Sequence, residues 1–133
     1  MQSKKSIYKK AYEKVNSVDE AIWLGNDRPV MESDFTLVFN DKYPCVPGHK
    51  LFIPKENNSH FVGRTYGLAY DYGNEQIKAG KIQGFNVGMN MGVCAGQTIL
   101  WPHVHFIPRH KDDSKVIGGM RHAHPGADHK EYY

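Results

Sequence analysis

The sequence predicts an antiparallel α+β domain, and three observations carry that prediction. Short apolar runs at residues 35–39, 50–53, 85–89 and 99–107 are set off by turn-forming Gly, Pro and Asn residues, as hairpin-linked strands are. One segment, residues 65–79, has helical spacing. The strands also come in succession around that one helix rather than alternating with several, which argues against a parallel doubly wound sheet.

The elements follow in chain order. Residues 3–15 read as a short helix rich in Lys and Tyr. Ser17-Val18-Asp19-Glu20 has the form of a capping box, so a further helical turn is expected there. Phe35 to Phe39 is a strand run, and the loop from Asn40 to Gly48 carries two prolines. Lys50 to Ile53 is the next strand, stopped by Pro54. In residues 65–79, Leu68, Ala69, Tyr72 and Ile77 share a broad face, Gly80 stands where a C-terminal cap belongs, and Gly73 weakens the helix. Phe85-Asn86-Val87-Gly88-Met89 alternates as a strand, and Ile99 to Ile107 is expected to form another.

Composition bounds the function. The 133 residues make one domain over 1–133, with a net charge of +3 and eight histidines. Lys4, Lys5, Lys9, Lys10 and Lys14 read as a solvated helix face, because no aromatic residues alternate with them as a nucleic-acid platform requires. Cys45 and Cys94 form no Cys-x-x-Cys pair, which excludes a structural zinc site of that kind. No apolar leader and no run of about 18 apolar residues is present, so the expectation is a cytoplasmic protein with reduced thiols and no membrane span.

The segment Gly96-Gln97-Thr98-Ile99-Leu100-Trp101-Pro102-His103-Val104-His105-Phe106-Ile107-Pro108-Arg109 carries the chemistry. In an extended strand, His103, His105 and Ile107 share one face and Val104 and Phe106 the other. The two imidazoles then stand roughly 6.6 Å apart along the strand, a spacing that lets both address one phosphate group. Arg109 reads as an anchor of the strand end. His122, His124 and His129 lie in a Gly/Pro-rich tail and read as solvent-facing or as folding near the site mouth, with a metal-binding patch as the alternative.

The pattern Gly-Gln-Thr-x-x-x-x-His-x-His-x-x-Pro-Arg resembles the signature of the histidine triad (HIT) nucleotide hydrolases and transferases, which reads His-x-His-x-His. The chain departs from it at Trp101, where the first His falls. Asp41-Lys42-Tyr43-Pro44-Cys45-Val46-Pro47-Gly48-His49 and the following apolar strand to Pro54-Lys55 are similar to the family's second motif. Asn90-Met91-Gly92-Val93-Cys94-Ala95-Gly96-Gln97 is similar to its approach to the active-site strand. The motifs are colinear from about Phe35 to Arg109. Gly118-Gly119-Met120-Arg121-His122 resembles the tail of bacterial members, so the resemblance is to a bacterial diadenosine-polyphosphate-hydrolase-like protein.

The resemblance implies a sheet of about five strands with one long helix, and a two-fold homodimer. It implies cleavage of a dinucleoside polyphosphate or related nucleotide at the α-phosphate, with His103 as nucleophile and a covalent nucleotidyl-histidine intermediate. His105 would donate to a non-bridging oxygen, and Gln97 and Thr98 would contact leaving-group oxygens, helped by N–H groups of the Gly96 turn. His49 would close the phosphate site, Asp41 would accept the ribose hydroxyls, Asn90 would bind substrate, and the base would lie against Phe39. A carbonyl of Trp101 or a neighbour would fix the His103 tautomer, and the Trp101 indole would stand on the His103 face unless Pro102 turns it. No cofactor or protein metal site is implied, although Mg2+ accompanies a polyphosphate substrate. A transferase or phosphorylase, a non-catalytic nucleotide-binding module, and a metal protein using His103, His105 and His49 are the competing readings. The last is weakened because no carboxylate or Cys sits at helpful spacing.

Overall fold

The computed structural model describes residues 15–113 and 119–127. The helix expected over residues 3–15, with its lysines, therefore lies outside the described residues apart from Val15. A 3-10 turn at Val18–Glu20 leads into α1 (Ile22–Asn26), followed by β1 (Met31–Glu32), β2 (Thr36–Asn40), β3 (Lys50–Pro54), the long helix α2 (Ser59–Lys78), β4 (Gly84–Gly88) and β5 (Val104–Arg109). Further 3-10 turns span Val93–Ala95 and Gly119–Ala123. The five strands form one antiparallel sheet in the order β1-β2-β3-β5-β4. This is the expected α+β architecture.

The sheet is covered on both faces. Val38, Phe52, Val104 and Phe106 point to α2 and pack with its Ala69 and with Ile82. Leu37, Phe39, Leu51 and Ile53 point the other way and pack with Ala21, Trp23 and Trp101. That two-sided cover explains why β2 and β3 read as nearly unbroken apolar runs rather than as alternating ones. Thr36 enters the helix-side layer because its hydroxyl meets that of Thr65 at 2.8 Å, so neither buried group is left unsatisfied.

Four local differences from the expectation have physical causes. Helix α2 starts at Ser59 rather than at residue 65, because the Asn58 carboxamide accepts the Phe61 N–H at 2.9 Å and caps it. Gly73 is no flaw in this helix: a Cβ there would lie 2.4 Å from the Phe85 ring, so the glycine makes room for β4 to pack. The last strand begins at Val104, not at Ile99, since Pro102 has no N–H to give a ladder and Trp101 is drawn into the core. At Ser17 the capping box does not form: Ser17 makes no side-chain cap, and Glu20 accepts the Asn16 N–H rather than that of Ser17. The two-residue β1 is too short to have shown in the sequence pattern. No helix among the described residues is long and apolar enough to cross a membrane.

Candidate functional site

The sheet register assembles the site. β3 pairs with β5 so that Leu51 faces His105, and β4 pairs with β5 so that Gly88 faces His105 on the other side. The β2–β3 hairpin closes with Asp41 N–H donating to the His49 carbonyl at 3.0 Å. Asp41, His49, His103 and His105 thus reach one patch from three strands' ends, although Asp41 and His103 are 62 positions apart in the sequence.

Two backbone groups fix the protonation of the three rings. The Trp101 carbonyl can only accept, and it lies 2.8 Å from His103 Nδ1. His103 therefore carries its proton on Nδ1 and leaves a lone pair on Nε2. The Cys45 N–H can only donate, and it lies 3.2 Å from His49 Nδ1, so the His49 proton sits on Nε2. That nitrogen is 2.9 Å from His105 Nδ1 and 3.3 Å from Asp41 Oδ2. By donating to His105 Nδ1 it leaves the His105 proton on Nε2. The outcome is a lone pair at His103 and an N–H donor at His105, on rings whose centroids are 5.4 Å apart.

Burial favours the neutral form of all three rings. Desolvation lowers the pKa of His103, opposed by the Trp101 carbonyl and by Asp41. Desolvation also lowers that of His49, with Asp41 opposing. His105 is pushed down to about 4, by desolvation first and then by the neighbouring imidazoles of His103 and His49. Trp23 packs edge-on to the His103 ring at 5.0 Å and holds it in place.

The remaining expected residues divide sharply. Thr98 is exposed and Asn90 half-buried, and the side chains of both lack hydrogen-bond partners among the described residues, so both have polar groups to offer. Gln97 is 4 % exposed, and its amide is committed at both ends, accepting from Gly92 N–H at 2.8 Å and donating to the Ile99 carbonyl at 2.9 Å. It braces the loop rather than facing outward. The Gly96 N–H is likewise spent on the Val93 carbonyl. Asp41 Oδ1 accepts the Tyr43 N–H at 2.8 Å while Oδ2 turns to His49. Phe39, expected beneath a base, is 1 % exposed and is a core side chain. Trp101 is 3 % exposed, donates its Nε1–H to the Pro54 carbonyl at 2.9 Å, and offers nothing to the site but its carbonyl. Arg109 anchors the strand end through Asp113 and Asn86. In the tail, His124 accepts the Gly126 N–H, and His129 lies outside the described residues.

A carboxylate does stand near the histidines, contrary to the reading from sequence spacing. Donor atoms of Asp41, His49 and His105 all lie within 4.8 Å of one another. The cluster nevertheless fits a cation poorly. A metal-bound imidazole needs a lone pair toward the ion and an N–H on its other nitrogen. His49 has the reverse arrangement, because its Nδ1 is occupied as an acceptor by the Cys45 N–H.

Sequence reasoning missed Cys45, whose contribution is a main-chain N–H that no side-chain pattern signals. It also missed Trp23, which stands in no expected element.

An antiparallel sheet backed by one long helix, with a His-x-His segment leading into the strand beside its β4 edge, defines a known class. The chain belongs to the HIT domain family, whose model matches residues 26–112. It is 34 % identical over 89 residues to the adenylylsulfatase HINT3 of Arabidopsis thaliana, covering 62 % of this chain and 45 % of that one. It is 30 % identical over 93 residues to the adenosine 5'-monophosphoramidase HNT1 of Saccharomyces cerevisiae, covering 68 % and 59 %. The chain thus spans about half the length of these two relatives. A crystal structure of a Hit-like protein from Bartonella henselae superposes with a TM-score of 0.58 at 26 % identity, over 65 % of this chain and 72 % of that one.

Proposed function

We propose that the protein is a nucleotide hydrolase that cleaves at the α-phosphate through a covalent nucleotidyl intermediate on His103. The observation that carries this reading is the Trp101 carbonyl on His103 Nδ1, which leaves Nε2 unprotonated and nucleophilic near neutral pH. Nε2 attacks the α-phosphorus as the bond to the leaving group breaks. Water then displaces the nucleoside monophosphate and regenerates the free imidazole. His105 Nε2–H donates to a non-bridging oxygen, where charge develops in the transition state. Asn90 and Thr98 contact the leaving-group oxygens, and Asp41 accepts from the ribose. His49 acts on His105 rather than on the phosphate.

The names of the two relatives, an adenylylsulfatase and an adenosine 5'-monophosphoramidase, support an adenylyl substrate. Within that class we favour a dinucleoside polyphosphate, because Trp101, which stands where the resembled signature has its first His, commits its Nε1–H to the Pro54 carbonyl and has no proton to give a departing amine. The reaction needs no transition metal, and Mg2+ enters only as the counter-ion of the polyphosphate. We further propose a two-fold homodimer through β4, an edge strand of the sheet, together with exposed Tyr70 and Ile77 of α2.

The test is to incubate the protein with a panel of adenylyl nucleotides, follow products by chromatography, and acid-quench for mass spectrometry. An adduct of one nucleoside monophosphate on a peptide containing His103 is expected, and His103→Ala should abolish both adduct and turnover. If the Ala variant keeps more than a tenth of the wild-type kcat, His103 is not the nucleophile. Added inorganic phosphate that becomes incorporated into a nucleoside diphosphate would instead establish the phosphorylase.

A further inference from the structure

The geometry points to a second nucleoside subsite over the C-terminal half of β5, apart from the residues that address the phosphate. It rests on the hydrolase reading only for the identity of its occupant, the nucleoside of the leaving group. A cleft of about 500 Å3 opens there, within the range of roughly 300–1,000 Å3 that small-molecule sites occupy. Its floor is Ile107, two residues beyond His105 on the same face, with Asn86 opposite it in β4. One wall is Cys45–Val46, the loop whose amide sets the His49 tautomer. The other wall is Met120 and Ala123 of the 3-10 turn Gly119–Ala123.

The position of Met120 joins this cleft to the phosphate site. Gly88 faces His105 across the ladder, and a Cβ on Gly88 would come within 2.7 Å of the Met120 methyl. The absent side chain is what lets the turn close down beside His105. Met120 thus lines the cleft and also reaches Gly88, the ladder partner of His105, so the cleft adjoins the phosphate site along β5.

The chemistry of the lining selects a flat, uncharged occupant. Val46, Ile107, Pro108 and Met120 are apolar or thioether surfaces, and a methionine sulfur packs well against an aromatic ring. The cleft's charges lie at its far end and cancel: Arg109 Nη2 pairs with Asp113 at 2.9 Å, and Nη1 donates to Asn86 at 2.8 Å. Among the described residues that line the cleft, the one cation, Arg109, is already paired and does not draw in a phosphate, so the base and ribose of a second nucleoside fit there better than a further phosphate.

The decisive comparison is the ratio of kcat/KM for diadenosine triphosphate to that for adenosine 5'-phosphoramidate, whose leaving group is too small to reach the cleft. Ala123→Trp and Val46→Trp fill the cleft from opposite walls, with circular dichroism confirming that each is folded. Each should lower the ratio at least tenfold, and a smaller fall in both overturns the subsite. A second arm needs no turnover. Equilibrium dialysis of labelled adenosine in saturating AMP should show one added equivalent bound to the wild type and none to Ala123→Trp. Absence of that equivalent, or its persistence in both variants, also overturns the subsite. A wild type that hydrolyses neither substrate refutes the hydrolase reading instead, and the dialysis still decides the cleft.

Discussion

His103 and His105 are the same residue type two positions apart, yet the fold gives them opposite tasks by assigning their protons to different nitrogens. One carbonyl, that of Trp101, makes His103 a lone-pair donor. One N–H, that of Cys45, makes His105 a proton donor by way of His49. His49→Ala removes that relay, so kcat should fall ten- to a hundredfold, as outer-shell losses do, with KM changed much less. It also removes one of the groups that lower the His105 pKa, so the acid limb of the pH–rate profile should move up toward the ordinary histidine value. An unchanged acid limb in stopped assays from pH 4.5 to 8 would show that His49 has only a structural part. The His103–His105 pair was legible in the sequence because side-chain alternation needs no tertiary knowledge. The Cys45 amide was not, since every residue but proline has one. The nearness of Asp41 to His49 depends on a hairpin register that spacing alone does not display. Gln97 and Phe39 look like site residues by motif, and only their packing shows that one braces the loop and the other fills the core.

Among the elements, β5 and the segment before it show how one strand can serve both chemistry and packing. Residues 99–103 leave the ladder at Pro102, and that break turns Trp101 into the layer with Phe39 and Trp23. Trp101→Ala should cost about 3–5 kcal/mol by the usual toll of an emptied aromatic site, readable as a lowered urea midpoint at unchanged slope. Trp101→His would also bury an imidazole, so it is expected to weaken the fold rather than to supply a leaving-group acid. Gly73 makes the complementary case on α2. Alanine improves helix propensity by about 1 kcal/mol, but its Cβ would meet the Phe85 ring at 2.4 Å. Phe85 stacks on Phe106 at 5.4 Å, next in sequence to His105, so the ring has little room to retreat. Gly73→Ala should therefore destabilise the protein despite better propensity, and a raised melting temperature would disprove the steric account. The helix and four strands were legible as existing elements. Their ends were not, because the Asn58 cap and the Pro102 break act through single hydrogen bonds.

At the scale of the whole molecule, three imidazoles taken from water into one patch link folding to pH. Each has a folded pKa below the ordinary value of 6.5, and that of His105 falls to about 4. The sign follows from proton counting. Above about pH 6.5 the rings are neutral in both folded and unfolded chains, and their burial carries no pH-dependent penalty. Below it the unfolded chain takes up protons that the folded chain refuses, so stability drops as pH falls toward about 4. Each ring contributes at most about 1.4 kcal/mol per pH unit in that window. Asp113, held down to about 2 by its hydrogen bond to Arg109, acts in the same sense but below the ordinary carboxylate range, so the two effects separate on the pH axis. The expected result is a melting temperature that is flat from pH 8 to 7 and falls steadily from 6.5 to 4.5. In His105→Gln, which keeps polarity without a titrating ring, the fall over that interval should be shallower than in the wild type. Equal slopes for the two proteins would mean that the histidine patch is not what limits stability in mild acid.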